Sequence, residues 1–326
     1  LCMNSKPSHY MQLPREVLIG GDVLSRLADV CRGLGFRSSI FVLTGSKVYE
    51  ITAQDIISKL EKSNYKIEFA FVNKSSMQSV KEAMERIEEF NPEVVLGIGG
   101  GTVIDVAKVS STHKGVPFIS IPTAASHDGI SSPRASIRGL EKPTSIETQA
   151  PIAILVDTNV VSKAPYRLTA SGCGDIISKY TAVRDWELAH RLKNEYYGEY
   201  AANLALMSAK LVMKNAKIIS KKSEEGLRVV LEALISCGVA MSIAGSSRPC
   251  SGSEHLFSHA LDAVAAKPAL HGEQCGVGAI MMACLQKGSW RAIREKLRIL
   301  KAPTSAKEMG VEPKEIIEAL VLAHKI

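Results

Sequence analysis

The chain has 326 residues, of which 46% are hydrophobic and 22% are charged, a composition typical of a soluble α/β protein with a large core. No segment approaches the roughly 18 uncharged apolar residues of a membrane-spanning helix, and no export signal is visible, so we expect a cytoplasmic protein without membrane insertion. The net charge of +7 favours anionic ligands, but the basic helical faces carry few aromatic side chains and no nucleic-acid motif, which argues against nucleic acid as a partner.

The first half of the sequence predicts strands that alternate with helices. Strands are predicted at residues 39–43, 67–72, 94–98, 117–121 and 152–156, and helices at residues 48–62, 77–90 and 102–112. Such alternation requires crossover connections between strands. We therefore expect a dinucleotide-binding α/β domain over residues 1–162, Rossmann-like and with a mostly parallel sheet.

The second half, residues 163–326, predicts an all-helical domain that binds metal and substrate. Helices are predicted at residues 175–192, 199–220, 226–244, 253–265 and 274–286, with two more towards the end. Long apolar runs indicate helices that are buried among other helices. A cleft between the two domains would be a natural ligand site, and so many apolar helices would suit a homo-oligomer.

A glycine-rich turn follows the predicted strand at residues 94–98. The sequence from Gly97 to Lys108 is typical of a strand, a tight turn and a helix start. Glycines allow a phosphate to approach the backbone, and the free N–H groups of a helix start attract its charge. The run is not a dinucleotide fingerprint, since the third glycine of G-x-G-x-x-G would fall on Thr102. Pyrophosphate binding is favoured, and a purely structural turn is the alternative.

A second loop, residues 122–133, follows the next predicted strand. It combines small hydroxyl residues, Gly129 and the carboxylate of Asp128. Ligands of open α/β sheets bind at the carboxyl ends of strands. The loop is therefore a candidate ligand-binding segment, with a polar surface loop as the alternative.

Four residues of the second half are candidate metal ligands. His255 and His259 are four positions apart, so both lie on one face of a predicted helix. His271 follows nearby, and Asp175 lies upstream in a glycine-rich approach to another helix. One carboxylate and two imidazoles leave a coordination position free, as catalytic zinc requires. The spacing alone does not decide which of the four bind metal.

The seven cysteines include no CxxC pair. Their odd number and scattered positions favour reduced thiols over disulfides. Cys173 and Cys275 lie next to candidate site residues, and we interpret both as small packing residues.

With these motifs in place, the chain resembles the superfamily of iron-containing alcohol dehydrogenases and dehydroquinate synthases, and within it the glycerol-1-phosphate dehydrogenases. Residues 99–105 resemble the pyrophosphate turn of the superfamily, and residues 122–129 resemble the nicotinamide and substrate loop of that branch. Residues 253–262 and 271–276 resemble its zinc segments. The resemblance extends from about Leu13 to the C-terminus, and it implies the dehydroquinate-synthase-like fold.

The resemblance also implies the site residues and the reaction. Zn²⁺ would be held by Asp175, His255 and His271, whereas His259 and Asp128, together with Asp175, would contact substrate. The dinucleotide would be lined by Gly99, Gly100, Gly101, Thr102, Val103, Ile104, Asp105, Thr123, Ala124, Ala125, Ser126 and Ser132. The implied reaction is the reversible reduction of dihydroxyacetone phosphate to sn-glycerol 1-phosphate with NADH or NADPH, a step of archaeal ether phospholipid synthesis.

In the mechanism we expect, zinc acts as a Lewis acid on the C2 oxygen of the substrate while hydride arrives from nicotinamide C4. His259 is placed to hydrogen-bond a substrate hydroxyl or to pass a proton, and Asp262 to orient a ligand imidazole. Arg134, Arg138 and Lys142 are candidate cations for the substrate phosphate, and His127 is the one other histidine that we do not interpret as structural.

Three other functions remain open at this point. The first is a glycerol or other polyol dehydrogenase, and the second is a dehydroquinate-synthase-like lyase, whose branch usually has Glu in place of Asp175. The third is a non-catalytic nucleotide-binding module, which leaves the metal ligands unexplained. Since residues 44–47 carry no acidic side chain that would disfavour a 2′-phosphate, the sequence leaves both NAD and NADP open as the cofactor.

Overall fold

The computed structural model describes residues 9–137 and 145–326. Its strands are β1 (Glu16–Gly20), β2 (Ser39–Thr44), β3 (Lys66–Phe71), β4 (Val94–Gly99), β5 (Phe118–Pro122), β6 (Arg134–Ser136), β7 (Ser145–Glu147) and β8 (Ala153–Asp157). Six of them form one sheet in the order β1-β8-β5-β4-β2-β3, and all of its neighbouring strands are parallel. The predicted parallel sheet is confirmed.

The helices of the described residues cover both faces of the sheet and then build a helical second half. They are α1 (Leu27–Gly33), α2 (Ser46–Val48), α3 (Gln54–Lys62), α4 (Met77–Phe90), α5 (Gly101–Lys114), α6 (Thr158–Val161), α7 (Tyr166–Lys193), α8 (Glu199–Lys214), α9 (Ala216–Ser220), α10 (Glu224–Ala244), α11 (Ser253–Val264), α12 (His271–Leu285), α13 (Trp290–Ile299), α14 (Ala306–Met309) and α15 (Pro313–Leu322). The α/β first half and the helical second half confirm the predicted fold class, while the boundary at residue 162, between α6 and α7, stays a prediction.

Local sequence explains why the first half folds this way. Every residue of β4 is buried, because this strand lies inside the sheet with helices on both faces. Helix α4 begins where the Ser76 hydroxyl accepts a hydrogen bond from the Ser79 N–H, and it ends at Asn91 in the left-handed region. The predicted helix at residues 48–62 contains a π-helical segment, Tyr49–Ala53, directly before α3.

Some short elements of the first half escape sequence analysis. Strand β1 lies at one edge of the sheet and pairs only with β8, and α1 follows it. Strands β6 and β7 form a separate antiparallel pair. Elements of three to seven residues carry too few periodic positions to separate them from loops.

The second half corrects three predicted boundaries. Helix α7 begins at Tyr166, so the glycines before Asp175 lie inside a helix of 28 residues and do not form an approach to it. Helix α12 begins at His271, three residues before the predicted start. The predicted helix at residues 199–220 is two helices, α8 and α9, which meet at Asn215.

Helix α10 is long and apolar enough to cross a membrane by length and composition alone, with a mean hydropathy of 1.8 over its most apolar window. In the protein, 67% of that window is buried, and the helix packs against α7 and α8. Burial of this kind is typical of a core helix in a soluble protein.

Candidate active site

The predicted glycine turn joins β4 to α5 at the carboxyl end of the sheet. Strand β4 ends at Gly99, Gly100 adopts an extended conformation ahead of the helix, and α5 begins at Gly101. The side chain of Ile104 is fully buried and Asp105 is 6% exposed. Any dinucleotide contact from these two residues would therefore have to come from the backbone, and the free N–H groups of the helix start remain the main donors.

His127 lies directly over this helix start. Its Nδ1 accepts a hydrogen bond of 3.0 Å from the Gly129 N–H. A Cβ on Gly101 would come within 2.9 Å of the His127 Cε1 atom and closer still to Nε2. Only a glycine at position 101 leaves room for the His127 ring. This close contact holds the loop after β5 against the glycine turn.

Asp128 connects this loop to the helical half. Its backbone N–H donates a hydrogen bond of 2.8 Å to Oδ2 of Asp175, in the middle of α7. The Nζ of Lys179 lies 2.7 Å from Asp128 Oδ2 and 2.6 Å from Asp175 Oδ1. Burial would lower the pKa of Lys179, but the two carboxylates outweigh it and hold the pKa well above its usual range. A permanent ammonium therefore bridges the loop and α7.

Small residues bring α7 and α12 into direct backbone contact. A Cβ on Gly174 would lie 3.1 Å from the carbonyl carbon of Gly272, and a Cβ on Gly272 would lie 2.6 Å from that of Ser171. Glycine permits this approach because it has no side chain. The crossing places Asp175 of α7 beside His271, the first residue of α12.

Four donor atoms converge at this crossing. Asp175, His255, His271 and Cys275 each offer one ligand atom, and these atoms lie within 4.8 Å of one another. The Nε2 of His255 is 3.5 Å from Oδ1 of Asp175, and the Nε2 of His271 is 3.5 Å from Sγ of Cys275. The structure thus brings together the three ligands implied by the resemblance and adds a thiol that we had interpreted as a packing residue.

The His255 ring is oriented by Glu254, a residue that sequence analysis missed. Its Oε1 lies 2.9 Å from His255 Nδ1, and its Oε2 accepts a hydrogen bond from the Thr181 hydroxyl. With Nδ1–H donating to this carboxylate, Nε2 keeps its lone pair for a metal ion. Glu254 directly precedes His255, and a carboxylate next to a candidate ligand was the available signal.

The His271 ring is held by a chain of hydrogen bonds. The Ser258 hydroxyl lies 3.2 Å from His271 Nδ1 and donates at 2.6 Å to Oε1 of Gln274. The Nε2 of Gln274 donates at 3.0 Å to Oδ1 of Asp262. An orienting role of Asp262, which stays a prediction, would run through Gln274 and Ser258 and would leave Nε2 of the imidazole for a metal.

The pKa shifts of the donor side chains favour a cation between them. Burial, and then the charge of His255, hold the pKa of His271 well below its usual range, which favours the neutral ligand form. Burial alone would raise the pKa of Asp175, but Lys179 and His255 outweigh it and keep the group ionised. Burial would lower the pKa of His255, whereas Cys275, Asp175 and Glu254 raise it well above its usual range. These groups favour a positive charge at Nε2, which a metal ion supplies in place of a proton.

The buried charges around the donors lead to the same conclusion. The carboxylates of Asp175 and Glu254 are fully buried and that of Asp128 is partly buried, and the ammonium of Lys179 contacts the two aspartates. Buried charge is costly unless it is compensated, and a metal ion would compensate the carboxylates beside the donors. The donor set of carboxylate and imidazole therefore fits a divalent metal ion such as zinc.

His259 lies beside the donor group but not in it. Its ring is 6.1 Å from that of His271, centroid to centroid, and the four convergent donor atoms do not include it. Burial, and then the charge of His255, lower its pKa to about 4. Its neutral imidazole is half-buried and available to a neighbouring ligand.

Other predicted site residues are less open to a ligand. Ser132 is 1% exposed, and its hydroxyl donates to the Arg134 carbonyl oxygen. Arg134, a candidate phosphate cation, lies 3.5 Å from Oε2 of Glu147 across the β6–β7 pair. Arg138 and Lys142 lie outside the described residues.

Comparison with known proteins supports a specific family. A model of the iron-containing alcohol dehydrogenases matches residues 18–165. The chain is 51% identical to the glycerol-1-phosphate dehydrogenase, NAD(P)+, of Methanosarcina acetivorans, over 100% of this chain and 92% of that protein. It is 54% identical to the protein of the same name from Thermococcus sibiricus, over 98% of this chain and 91% of the relative.

Solved structures share the fold at much lower identity. Glycerol dehydrogenase from Schizosaccharomyces pombe superposes with a TM-score of 0.83 at 19% identity, covering 96% of this chain and 82% of that one. NADH-dependent butanol dehydrogenase A from Thermotoga maritima gives a TM-score of 0.71 at 19% identity, covering 98% of this chain and 93% of that one. These likenesses concern the fold alone.

Proposed function

The chain belongs to the glycerol-1-phosphate dehydrogenases among the iron-containing alcohol dehydrogenases, and from this premise we propose that it reduces dihydroxyacetone phosphate to sn-glycerol 1-phosphate. The electron donor is NADH or NADPH, and the reaction is reversible. The product would supply the glycerol backbone of archaeal ether phospholipids.

The observation that supports this reaction best is the contact between Asp128 and Asp175. The hydrogen bond of 2.8 Å between them joins the loop after β5 to the donor group on α7, α11 and α12. The same loop touches the glycine turn of α5 through His127. A nicotinamide bound above the carboxyl end of the sheet and a substrate bound at the donor group would then be neighbours, as hydride transfer requires.

Zinc is the metal we propose, with Asp175, His255 and His271 as its ligands. Bound there, it would polarise the carbonyl oxygen of the substrate. Glu254 and Ser258 keep the two imidazoles in the orientation that presents Nε2. Lys179 neutralises Asp128 and part of the charge of Asp175, which keeps the loop against α7.

His259 and Asp128 are the proposed substrate contacts. The pKa of His259, about 4, keeps its ring neutral at physiological pH, so it can both donate and accept a hydrogen bond. It is therefore suited to bind a substrate hydroxyl or to pass a proton. The dinucleotide would lie along residues 99–105 and 123–126, with a further contact near Ser132.

The decisive assay is the reduction of dihydroxyacetone phosphate with NADH and with NADPH, followed by determination of the product's chirality. Turnover to sn-glycerol 1-phosphate with either cofactor is expected. Faster oxidation of glycerol than of glycerol 1-phosphate would favour a polyol dehydrogenase. A reaction without net change in NADH would favour a lyase of the dehydroquinate synthase type.

The ligand assignment is tested by metal analysis of two histidine variants. His271→Ala should lose zinc and activity, because a ligand is removed. His259→Ala should retain zinc but turn over more slowly, and loss of its zinc would identify His259 as a ligand. His324→Ala, which removes an exposed histidine near the C-terminus, is the matched control and should retain both properties.

The assembly and location of the enzyme are also proposals. Apolar side chains at the end of α7 and on α8 are exposed, among them Leu192 at 73%, Tyr200 at 72% and Met207 at 59%. Patches of this kind are typical of contacts between subunits, which supports a homo-oligomer, and we propose the cytoplasm as its location. Light scattering of the purified protein would measure its mass in solution.

A further inference from the structure

Cys275 belongs to the donor group, although sequence analysis interprets it as a packing residue. It lies one turn after His271 on α12 and is fully buried. Its Sγ is 3.5 Å from Nε2 of His271, the nitrogen that would bind metal, and 3.9 Å from Nδ1 of the same ring. The i, i+4 spacing places the thiol on the same helix face as the His271 imidazole, and its sulfur is one of the four convergent donor atoms.

Two distances within the donor group match edges of a tetrahedral coordination shell. With zinc–nitrogen bonds of about 2.0–2.1 Å and zinc–sulfur bonds of about 2.3 Å, tetrahedral geometry requires a nitrogen–sulfur edge of about 3.6 Å. The observed His271 Nε2 to Cys275 Sγ distance is 3.5 Å. The edge from His255 Nε2 to Asp175 Oδ1 is also 3.5 Å, close to the roughly 3.4 Å expected for nitrogen and oxygen donors. The thiol thus stands in the relation to His271 that two donors of one metal would share.

We propose that Cys275 is a fourth protein donor to the metal in the substrate-free enzyme, and that its sulfur makes the site select zinc over iron. This inference rests on the proposed metal site of Asp175, His255 and His271. It adds a donor to that site and does not alter the three ligands already named.

The chemical reason for the selectivity is the softness of sulfur. Carboxylate and imidazole ligands accept several divalent first-row metals, among which zinc binds more tightly than iron(II), and a soft thiolate donor strengthens the binding of zinc further. A thiol binds metal as the thiolate, so its proton is released to solvent as the metal enters. Since a catalytic zinc keeps one position for substrate, we expect Cys275 to act as a donor only in the substrate-free enzyme.

Cobalt(II) is the probe that reports this donor directly. Cobalt replaces zinc in tetrahedral sites, and a cobalt–thiolate bond gives an intense near-ultraviolet charge-transfer band that oxygen and nitrogen donors do not give. We expect the metal-depleted protein to bind one equivalent of cobalt and to show this band. Cys275→Val and Cys275→Ser should lose the band but keep the weaker visible bands of bound cobalt, since three donors remain.

Matched thiol variants provide the controls. Cys173→Ala removes a thiol on α7 that is also fully buried but lies outside the four-donor group. Cys284→Ser removes an exposed thiol. Both should keep the charge-transfer band. Circular dichroism of each variant would establish that it is folded. If the valine variant does not fold, the serine variant serves in its place, because it nearly preserves the volume of the thiol.

Metal competition then measures selectivity. Under anaerobic conditions, zinc should displace iron(II) from the wild-type protein more readily than from Cys275→Val. We expect the zinc affinity of the variant to be about 10- to 100-fold lower, because removing only an outer hydrogen-bond partner already costs a metal site this much. Equal zinc-to-iron preference in both proteins would overturn the selectivity.

Two further outcomes separate this inference from the proposed function. Stoichiometric cobalt without a charge-transfer band, or a band that persists in both Cys275 variants, would overturn the role of Cys275 and leave the three-ligand site intact. Failure of the wild-type protein to bind any divalent metal would overturn the three-ligand site itself, and the fourth donor with it.

Discussion

Replacing Gly272 by alanine tests whether the close crossing of α7 and α12 builds the metal site. The new Cβ would lie 2.6 Å from the carbonyl carbon of Ser171 and closer still to its oxygen, whereas ordinary contacts begin near 3.4 Å. Both partners are backbone, so no side chain can rotate away. The two helices must therefore separate by about 1 Å, and overpacking of this kind costs about 1–3 kcal/mol.

The separation would also spoil the donor geometry. Asp175 is carried by α7, whereas His271 and Cys275 are carried by α12. A shift of about 1 Å is large against donor edges of 3.5 Å, because metal sites require bond lengths within about 0.2 Å of their usual values. We expect Gly272→Ala to lose most of its zinc and to melt at a temperature lower by about 2–4 °C.

The assay combines zinc analysis with thermal unfolding, and Gly33→Ala is its control. Gly33 also lies in a helix, but a Cβ there would meet only Glu16 Oε1 at 3.7 Å. Alanine should thus be tolerated at Gly33, or even stabilise α1 by up to about 1 kcal/mol, because it favours the helix. If Gly272→Ala kept full zinc content and its melting temperature, the crossing would not be what fixes the donors.

Three further predictions follow from other contacts. Ser258→Ala interrupts the hydrogen-bond chain that holds His271 and should weaken zinc binding by about 10- to 100-fold in chelator competition; Ser162→Ala, an exposed serine, should not. Burial lowers the pKa of Lys108 from 10.5 to about 8 against the opposing charges of Asp105 and Asp128, so the unfolded chain binds more protons between these values and the free energy of unfolding should rise with pH across that window. Urea titrations at pH 8 and pH 10 would measure this rise, and Lys108→Met should reduce it. Burial raises the pKa of Cys31 to about 12, which keeps its thiol protonated and unreactive. Of the six described cysteines, we therefore expect iodoacetamide to label only the exposed Cys284 in the native protein. Mass spectrometry would detect the label, and rapid labelling of Cys31 would contradict this prediction.

The sheet could be predicted from sequence because its central strands are continuous apolar runs. The run at residues 94–98 was recognised as β4 without ambiguity, since it is buried on both faces. Strand β1 was missed because it lies at an edge and alternates only weakly between buried and exposed positions. The start of α7 was misplaced because Gly172 and Gly174 are typical of turns, whereas in the structure they serve helix packing.

The candidate site was predictable in its residue types but not in its connections. Helical spacing places His255 and His259 on one face and cannot tell which of them binds metal. The distinction lies in long-range contacts. His271 becomes the first residue of α12 because Glu273 accepts a hydrogen bond from the Leu270 N–H and is itself held by Nε and Nη2 of Arg167.

The same contacts explain why Cys275 enters the donor group. Once α12 begins at His271, the thiol lies one helical turn further along, on the same face as that imidazole. A helix that began at Gln274, as the sequence predicted, would leave His271 in a loop and would not fix the two side chains together. The start of one helix thus decides both the orientation of a proposed ligand and the proximity of a fourth donor.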